Sequence, residues 1–212
     1  MIEGRERTAP AALLAALGVR RGEPLLAVDL AAAKARLEAL PWVKSASVER
    51  RWPRLLYVKI AERTPLALWQ DDGKIRLIDS GGTVIEGADL GRFAKLPMVV
   101  GAGADKAAAE LLAMLAKEPS LMPHLEAAVR VGARRWNLHL VEGIDVRLPE
   151  SGAEEALARL AELAPKERLF SPDIVAIDLR LPDRLIVRLS PAAAAARQPP
   201  PQPGARKGGR NT

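Results

Sequence analysis

The chain has 212 residues, a formal net charge of +6 at pH 7 and no cysteine. That length holds one large or two small domains with real cores, and the missing cysteine excludes disulfides, thiolate chemistry and Cys-ligated zinc. Four of the positive charges, Arg197, Arg206, Lys207 and Arg210, lie in an acid-free end, and without them +6 falls to +2. The remainder is close to balanced, which argues against a nucleic-acid-binding domain with its basic face.

The first residues, MIEGRERT, are charged and lack the apolar run of a signal peptide. Ile2, Glu3, Gly4 and Arg5 spell a protease-recognition sequence and read equally well as the end of a first strand. No apolar run is long enough to span a bilayer, and the abrupt start suggests a longer parent. Thr8 is placed to cap a first helix, with Pro10 in its first turn, Leu13, Leu14 and Leu17 on one face, and Gly18 as its stop. Asp29 is a good N-cap for a second helix in which Leu30, Leu37 and Leu40 share a stripe, and Pro41 ends it.

The period then changes from 3.6 to 2. Ala46 and Val48 alternate with Ser45, Ser47 and Glu49, and Leu56, Val58 and Ile60 alternate with Leu55, Tyr57 and Lys59. Arg51, Trp52, Pro53 and Arg54 make the turn between these strands. Two helices over a small sheet make a unit of about 60 residues, closed by Glu62, Arg63, Thr64 and Pro65. Aromatic residues are only 3% of the chain, so each of the four tryptophans is expected to anchor a local core. The turn itself has two readings. Arg50, Trp52, Pro53 and Arg54 are either a solvated turn with an aromatic plug or a docking epitope.

Beyond the boundary, residues 66–70 and 75–79 pair across Asp71, Asp72, Gly73 and Lys74, and Ser80, Gly81 and Gly82 turn into a strand at 83–85. A short strand follows at 98–100, and a helix at 105–117 with Asp105 as its cap. Strands are expected at 128–131, 136–141 and 144–148, a helix at 154–164, and a last hairpin at 174–181 and 184–189. Residues 191–212 collapse to Ala, Pro, Gln, Gly and basic residues, which reads as a disordered tail.

No catalytic constellation emerges. His124 and His139 lie in different elements and show no metal-ligand spacing. The Gly101 to Asp105 segment lacks the glycine and lysine pattern of a phosphate loop. The acid pairs Asp71–Asp72 and Glu154–Glu155 suit a turn and a helix start rather than converging acid–base chemistry. No enzyme activity, cofactor or metal is expected. A cell-wall hydrolase, the enzymatic alternative, requires a clustered acid or metal site. The most suggestive element is the terminal strand Arg184, Leu185, Ile186, Val187, Arg188 and Leu189. It is either an ordinary protected edge or one that accepts a partner's strand, with Arg184 and Arg188 discouraging self-pairing.

Taken together, Gly18, Gly22, Glu23, Pro24, Leu25, Val28, Asp29, Leu40, Pro41, Trp42, Val43, Arg50, Trp52, Pro53, Glu62, Arg63, Thr64 and Pro65 resemble the FtsQ/DivIB family of bacterial cell-division proteins. Ala67, Trp69, Gly73, Leu77, Ile78, Asp79, Gly82, Val84, Ile85, Leu96 and Pro97 continue the pattern, and Ile177, Asp178, Leu179 and Arg180 resemble the family's closing hairpin. The resemblance implies an α+β fold: a POTRA domain at 1–64, an antiparallel-rich β-domain with helices at 65–190, and the tail at 191–212. It further implies a non-catalytic divisome scaffold, periplasmic and held in the inner membrane at the septum by a single span that this sequence does not contain. Its implied partners are FtsB and FtsL, with other divisome members, and not nucleic acid. The implied pairing strand is Arg184 to Leu189, supported by the strand around Ile177 to Arg180, and the resemblance implicates the POTRA domain in recruitment, for which the turn at Arg50, Trp52, Pro53 and Arg54 is the candidate docking epitope. The alternative is a POTRA module of outer-membrane protein assembly or secretion, for which tandem repeats or a barrel pattern are expected and not seen.

Overall fold

A computed structural model describes residues 1–19 and 22–197. The first part is a three-stranded sheet under two helices. Strand β1 (Ile2–Glu3) runs parallel to β3 (Leu55–Glu62), which pairs antiparallel with β2 (Val43–Arg51). Helices α1 (Pro10–Leu17) and α2 (Leu30–Glu38) cover one face. Leu13, Leu17, Ala33, Leu37, Val43, Val58 and Ile60 form the core beneath them.

Local chemistry sets the helix limits. Asp29 caps α2, accepting from the Ala32 N–H at 3.0 Å. Gly18 ends α1 with φ of 63°, a conformation that glycine adopts without steric cost. The Arg36 guanidinium from α2 then donates to the Ala16 and Leu17 carbonyls, 2.8 and 2.6 Å away, satisfying the open end of α1. Two expectations fail here. Thr8 is not the cap of α1, which starts after Ala9, because Thr8 is held elsewhere: its N–H donates to Glu62 at 2.8 Å. Leu14 is 61% exposed rather than sharing the Leu13 and Leu17 face, since one short helix over a small sheet buries only a narrow stripe.

The second part is a nine-stranded mixed sheet. Its strands are β4 (Pro65–Asp71), β5 (Lys74–Asp79), β6 (Val84–Ile85), β7 (Met98–Val100), β8 (Leu125–Val131), β9 (Arg135–Leu140), β10 (Asp145–Arg147), β11 (Ile174–Asp178) and β12 (Ile186–Leu189). Their order is β12-β11-β10-β9-β8-β7-β4-β5-β6. Most neighbours are antiparallel; β4–β7, β7–β8 and β10–β11 are parallel. Helices α3 (Ala104–Lys117) and α4 (Ala153–Glu167) bury Ala108, Leu111, Leu115, Leu157 and Leu160 in one shared core with the sheet. Lys117 and Glu154 join the two helices at 2.6 Å. The cap of α3 is Gly103, with φ of 73°, and Asp105 sits in the first turn instead, because the glycines bring the chain into the helix two residues earlier than expected.

The end of the chain also differs from expectation. Pro191–Arg197 forms a fifth helix, α5. A run of alanines has the highest helix propensity, proline suits a helix's first position, and the Ser190 hydroxyl accepts from the Ala193 N–H at 3.3 Å. The rest of the tail expected at 191–212 lies outside the described residues.

The two sheets meet at Glu62, Arg63, Thr64 and Pro65. Glu62 accepts from the N–H groups of Arg7 and Thr8, at 2.7 and 2.8 Å, and so ties the approach to α1 onto the end of β3. The Arg63 N–H donates to the Trp42 carbonyl at 2.8 Å. Its guanidinium meets Asp79 at 2.6 Å, and Asp79 is only 3% exposed. Asp79 also accepts from the Gly81 and Thr83 N–H groups, both at 2.9 Å, shaping the β5–β6 turn. Beside it, the Trp42 ring lies 6.0 Å from Phe93 and packs with Leu68, Leu77 and Ile85. Burial opposes the Asp79 charge, but the Thr83 N–H, Arg63 and the Gly81 N–H outweigh it, and the carboxyl titrates below its ordinary range. Glu62 is likewise depressed: burial opposes its charge, and hydrogen bonds from Thr8 and Arg7 prevail.

Depressed carboxyls mean that the native state binds fewer protons than the unfolded chain, so this stability is present above about pH 4 and is lost as pH falls through the lowered values. Urea unfolding across pH 3–7 is expected to show that acid limb. Asp79→Asn is expected to flatten it and to cost about 2–3 kcal/mol at pH 7, as for a buried ion pair that loses one charge. An unchanged limb in Asp79→Asn removes the pair from this role.

Candidate functional site

The final strand lies at one end of the large sheet. β12 pairs antiparallel with β11, matching Val187 to Ile177 and Ile186 to Asp178, and its other side meets no strand among the described residues. Period two sorts its side chains. Leu185, Val187 and Leu189 pack against the core, while Ile186 and Arg188 face outward, with Ile186 48% exposed. Arg188 has no ion pair among the described residues.

The hairpin is shorter than the sequence pattern suggests. β11 stops at Asp178 rather than 181, and β12 starts at Ile186 rather than 184. Leu179 turns fully inward, and its N–H donates to the Arg147 carbonyl at 2.9 Å. Arg180, expected on a strand, lies beyond it and clasps Asp178 through Nε at 2.9 Å and Nη2 at 2.6 Å. That clasp holds the Asp178 carboxyl below its ordinary range. Arg184 similarly pairs with Asp183 at 2.7 Å. Of the three arginines around this strand, Arg188 is therefore the one without an ion pair among the described residues.

A residue that sequence reading passed over holds the connection. Arg159 on α4 donates to the Leu181 carbonyl at 3.3 Å and to the Pro182 carbonyl. It thereby pins the loop before β12 over a cleft of about 520 Å³ that also contains Glu155, Leu179 and Arg180. In sequence Arg159 is one more polar residue on an amphipathic helix, and nothing there signals its reach.

The residues expected to form a docking epitope at the β2–β3 turn divide differently. Arg50 is an internal brace rather than an open contact: its guanidinium donates to the Leu25 carbonyl at 2.8 Å and to the Val28 carbonyl, holding the 22–28 loop against β2. Trp52 is 72% exposed, contrary to the expectation that every tryptophan anchors a core, and Pro53 and Arg54 beside it are exposed too. Elsewhere, His124 pairs with Glu142 and His139 with Asp145, and among the described residues no acid or histidine cluster is arranged to hold a metal ion.

Comparison with known proteins shows the family of the chain. The pattern of the FtsQ-type POTRA domain matches residues 1–63, and that of "Cell division protein FtsQ/DivIB, C-terminal" matches residues 67–180. The chain belongs to the FtsQ/DivIB family of cell-division proteins. It is 44% identical over 198 residues to cell division protein FtsQ of Bradyrhizobium diazoefficiens, covering 93% of this chain and 58% of that protein. It is 42% identical over 187 residues to FtsQ of Caulobacter vibrioides, covering 88% and 62%. The chain thus spans about three fifths of the length of these relatives. The solved extracytoplasmic domain of DivIB from Geobacillus stearothermophilus is a more distant likeness, 18% identical with a TM-score of 0.35 over 51% of this chain and 97% of that one. The POTRA match is to the FtsQ type, so the outer-membrane assembly alternative falls.

If Arg159 positions the loop before β12, Arg159→Ala is expected to speed amide exchange of Ile186 to Leu189 severalfold while leaving the global unfolding midpoint nearly unchanged. Equal exchange in both proteins refutes the tether.

Proposed function

We propose that this protein is a non-enzymatic scaffold of the bacterial divisome that receives a strand from a partner along the outer edge of β12. It acts through two domains, residues 1–64 and 65–190. Its place is the periplasmic side of the inner membrane at the septum, anchored by a segment outside this chain. The partner is the FtsB–FtsL pair, with FtsB supplying the strand. One observation carries this reading: in a member of a cell-division family, the terminal strand has an apolar inner face, an outward Ile186 and a side that no strand occupies among the described residues.

Four residues at about 3.4 Å each present some 14 Å of ladder. About four backbone bonds at roughly 1 kcal/mol each reach only millimolar affinity. Backbone pairing supplies direction, and side-chain contacts must add the rest. Ile186 offers an exposed apolar surface to the incoming strand, and Arg188 an open positive charge for an acid beside it. The ion pairs that occupy Arg180 and Arg184 hold the hairpin rather than the partner. The POTRA domain adds a second docking surface at Trp52, Pro53 and Arg54.

Along an edge strand, alternate N–H groups point to the neighbour and outward. Proline at Ile186 and at Val187 therefore removes one inward and one outward donor. The outward substitution is expected to weaken binding to an FtsB–FtsL complex by on the order of tenfold or more, with the fold intact by circular dichroism. Unchanged affinity in both folded variants would falsify strand addition at β12.

A further inference from the structure

The first sheet has an edge of its own. Its order is β1-β3-β2, so the nine-residue β2 borders no strand on its far side among the described residues. The Val58 N–H donates to the Met1 carbonyl at 2.9 Å, and the Leu56 carbonyl accepts from the Met1 amine at 3.0 Å. Both groups of β3 therefore point towards β1 and away from β2. Their register partners, Val48 and Arg50, must then aim their own N–H and C=O groups outward, and so must Ala46, which lies opposite Ile60.

One of those outward donors is occupied. Glu38, the last residue of α2, reaches the edge and accepts from the Ala46 N–H at 3.0 Å. Lys34, one turn earlier, lies 3.9 Å from the same carboxylate oxygen. The position is unfavourable for α2 itself, because a negative charge in the last turn opposes the helix dipole. The Val48 and Arg50 N–H groups meet no acceptor among the described residues.

A second copy of this chain matches the edge when two β2 strands run antiparallel about Val48. Val48 then faces Val48 of the second copy, and Ala46 faces its Arg50, so every outward group at these positions joins a ladder. On the other face of the sheet Ser47 comes opposite Glu49, and no like charges stand directly across from each other. The Glu38 carboxylate breaks this register at both ends. It takes the Ala46 donor, and it sets an anionic oxygen where the Arg50 carbonyl of the second copy belongs. Only the central Val48 pair is left, too little for a stable ladder.

We propose that β2 is a latent pairing edge for a second copy of this chain and that Glu38 holds it closed. A side-chain acceptor stands in for a neighbouring strand and so keeps an otherwise regular edge from pairing. This guard is separate from strand addition at β12 and does not depend on it.

The test is sedimentation velocity of the full chain with amide exchange followed residue by residue. The native chain is expected to be monomeric at about 0.1 mM, with Ala46 protected and Val48 and Arg50 exchanging fast. Glu38→Ala is expected to raise self-association on the order of tenfold or more, since each copy regains a backbone donor. Alanine is the better helix former, so α2 is expected to persist, and a cooperative unfolding transition checks it. In that variant the Val48 and Arg50 amides are expected to slow as concentration rises. Glu38→Gln keeps an acceptor oxygen for Ala46 and is expected to stay monomeric. A Glu38→Ala chain that associates no more than the native one overturns the proposal. So does native pairing along β2, or association whose slowed amides lie in β12 alone. Glu38→Gln that associates as readily as Glu38→Ala overturns it as well, because the acceptor then plays no part.

Discussion

The arrangement of this molecule depends on a buried carboxylate meeting a guanidinium between two sheets. Asp79 is nearly inaccessible, and Arg63 reaches it from the segment that connects β3 to β4. The pair shapes the β5–β6 turn through the Gly81 and Thr83 N–H groups and fixes the connecting segment. Glu62, one residue earlier, draws in the approach to α1, and the Arg63 backbone holds Trp42. Three successive functions therefore fall on adjacent residues, each using a different group. A buried ion pair adds little net stability against an apolar replacement of similar shape. Its contribution here is geometric, since each carboxylate oxygen is committed to a donor from a known direction and only one relative placement satisfies them.

That junction determines what remains free. It lies near the β4–β5–β6 end of the large sheet, so the opposite end of the strand order, β12, is the edge left over. An open edge risks pairing with another copy of itself. Several features of this edge limit that risk: it is four residues long, it carries the outward charge of Arg188, and a register shift in β11 between Ile174 and Ala176 disturbs the regular ladder beside it. On the strand-addition proposal these same features would make the edge selective: a partner would have to supply side chains that cover Ile186 and accommodate an arginine, and the brevity of the ladder would leave discrimination to them.

Much of this was legible in sequence because it is local. The switch from helical to alternating period at Val43, the Asp29 cap, the Gly18 stop and the glycine turns are one-dimensional signals, and the strands and helices follow them closely. What was not legible depends on distance. Leu14 and Trp52 look like core residues until the small sheet has no surface left to cover them. Arg50 looks like part of an open basic turn until the 22–28 loop arrives with two unsatisfied carbonyls. Arg180 and Arg184 look free because the acids they meet, Asp178 and Asp183, lie two and one residues before them and only the turn aims them back. At the candidate site the strand itself was readable, and the loop that positions it was not, because Arg159 acts from a helix more than twenty residues away.

The two docking surfaces proposed at different places in the chain would solve a problem that either alone leaves open. A short ladder gives direction but weak affinity, and the turn at Trp52, Pro53 and Arg54 would add contact without a ladder. Coupled in one molecule, the second event becomes effectively intramolecular once the first has occurred. The coupling requires that the distance and angle between the surfaces hold steady, which returns the requirement to Arg63 and Asp79. A loose junction would let the POTRA end and the β12 edge sample many relative positions, and the gain in effective concentration would be diluted among them. A carboxylate with every donor in place between the two sheets would therefore be where rigidity matters most for such binding, although it belongs to neither proposed surface.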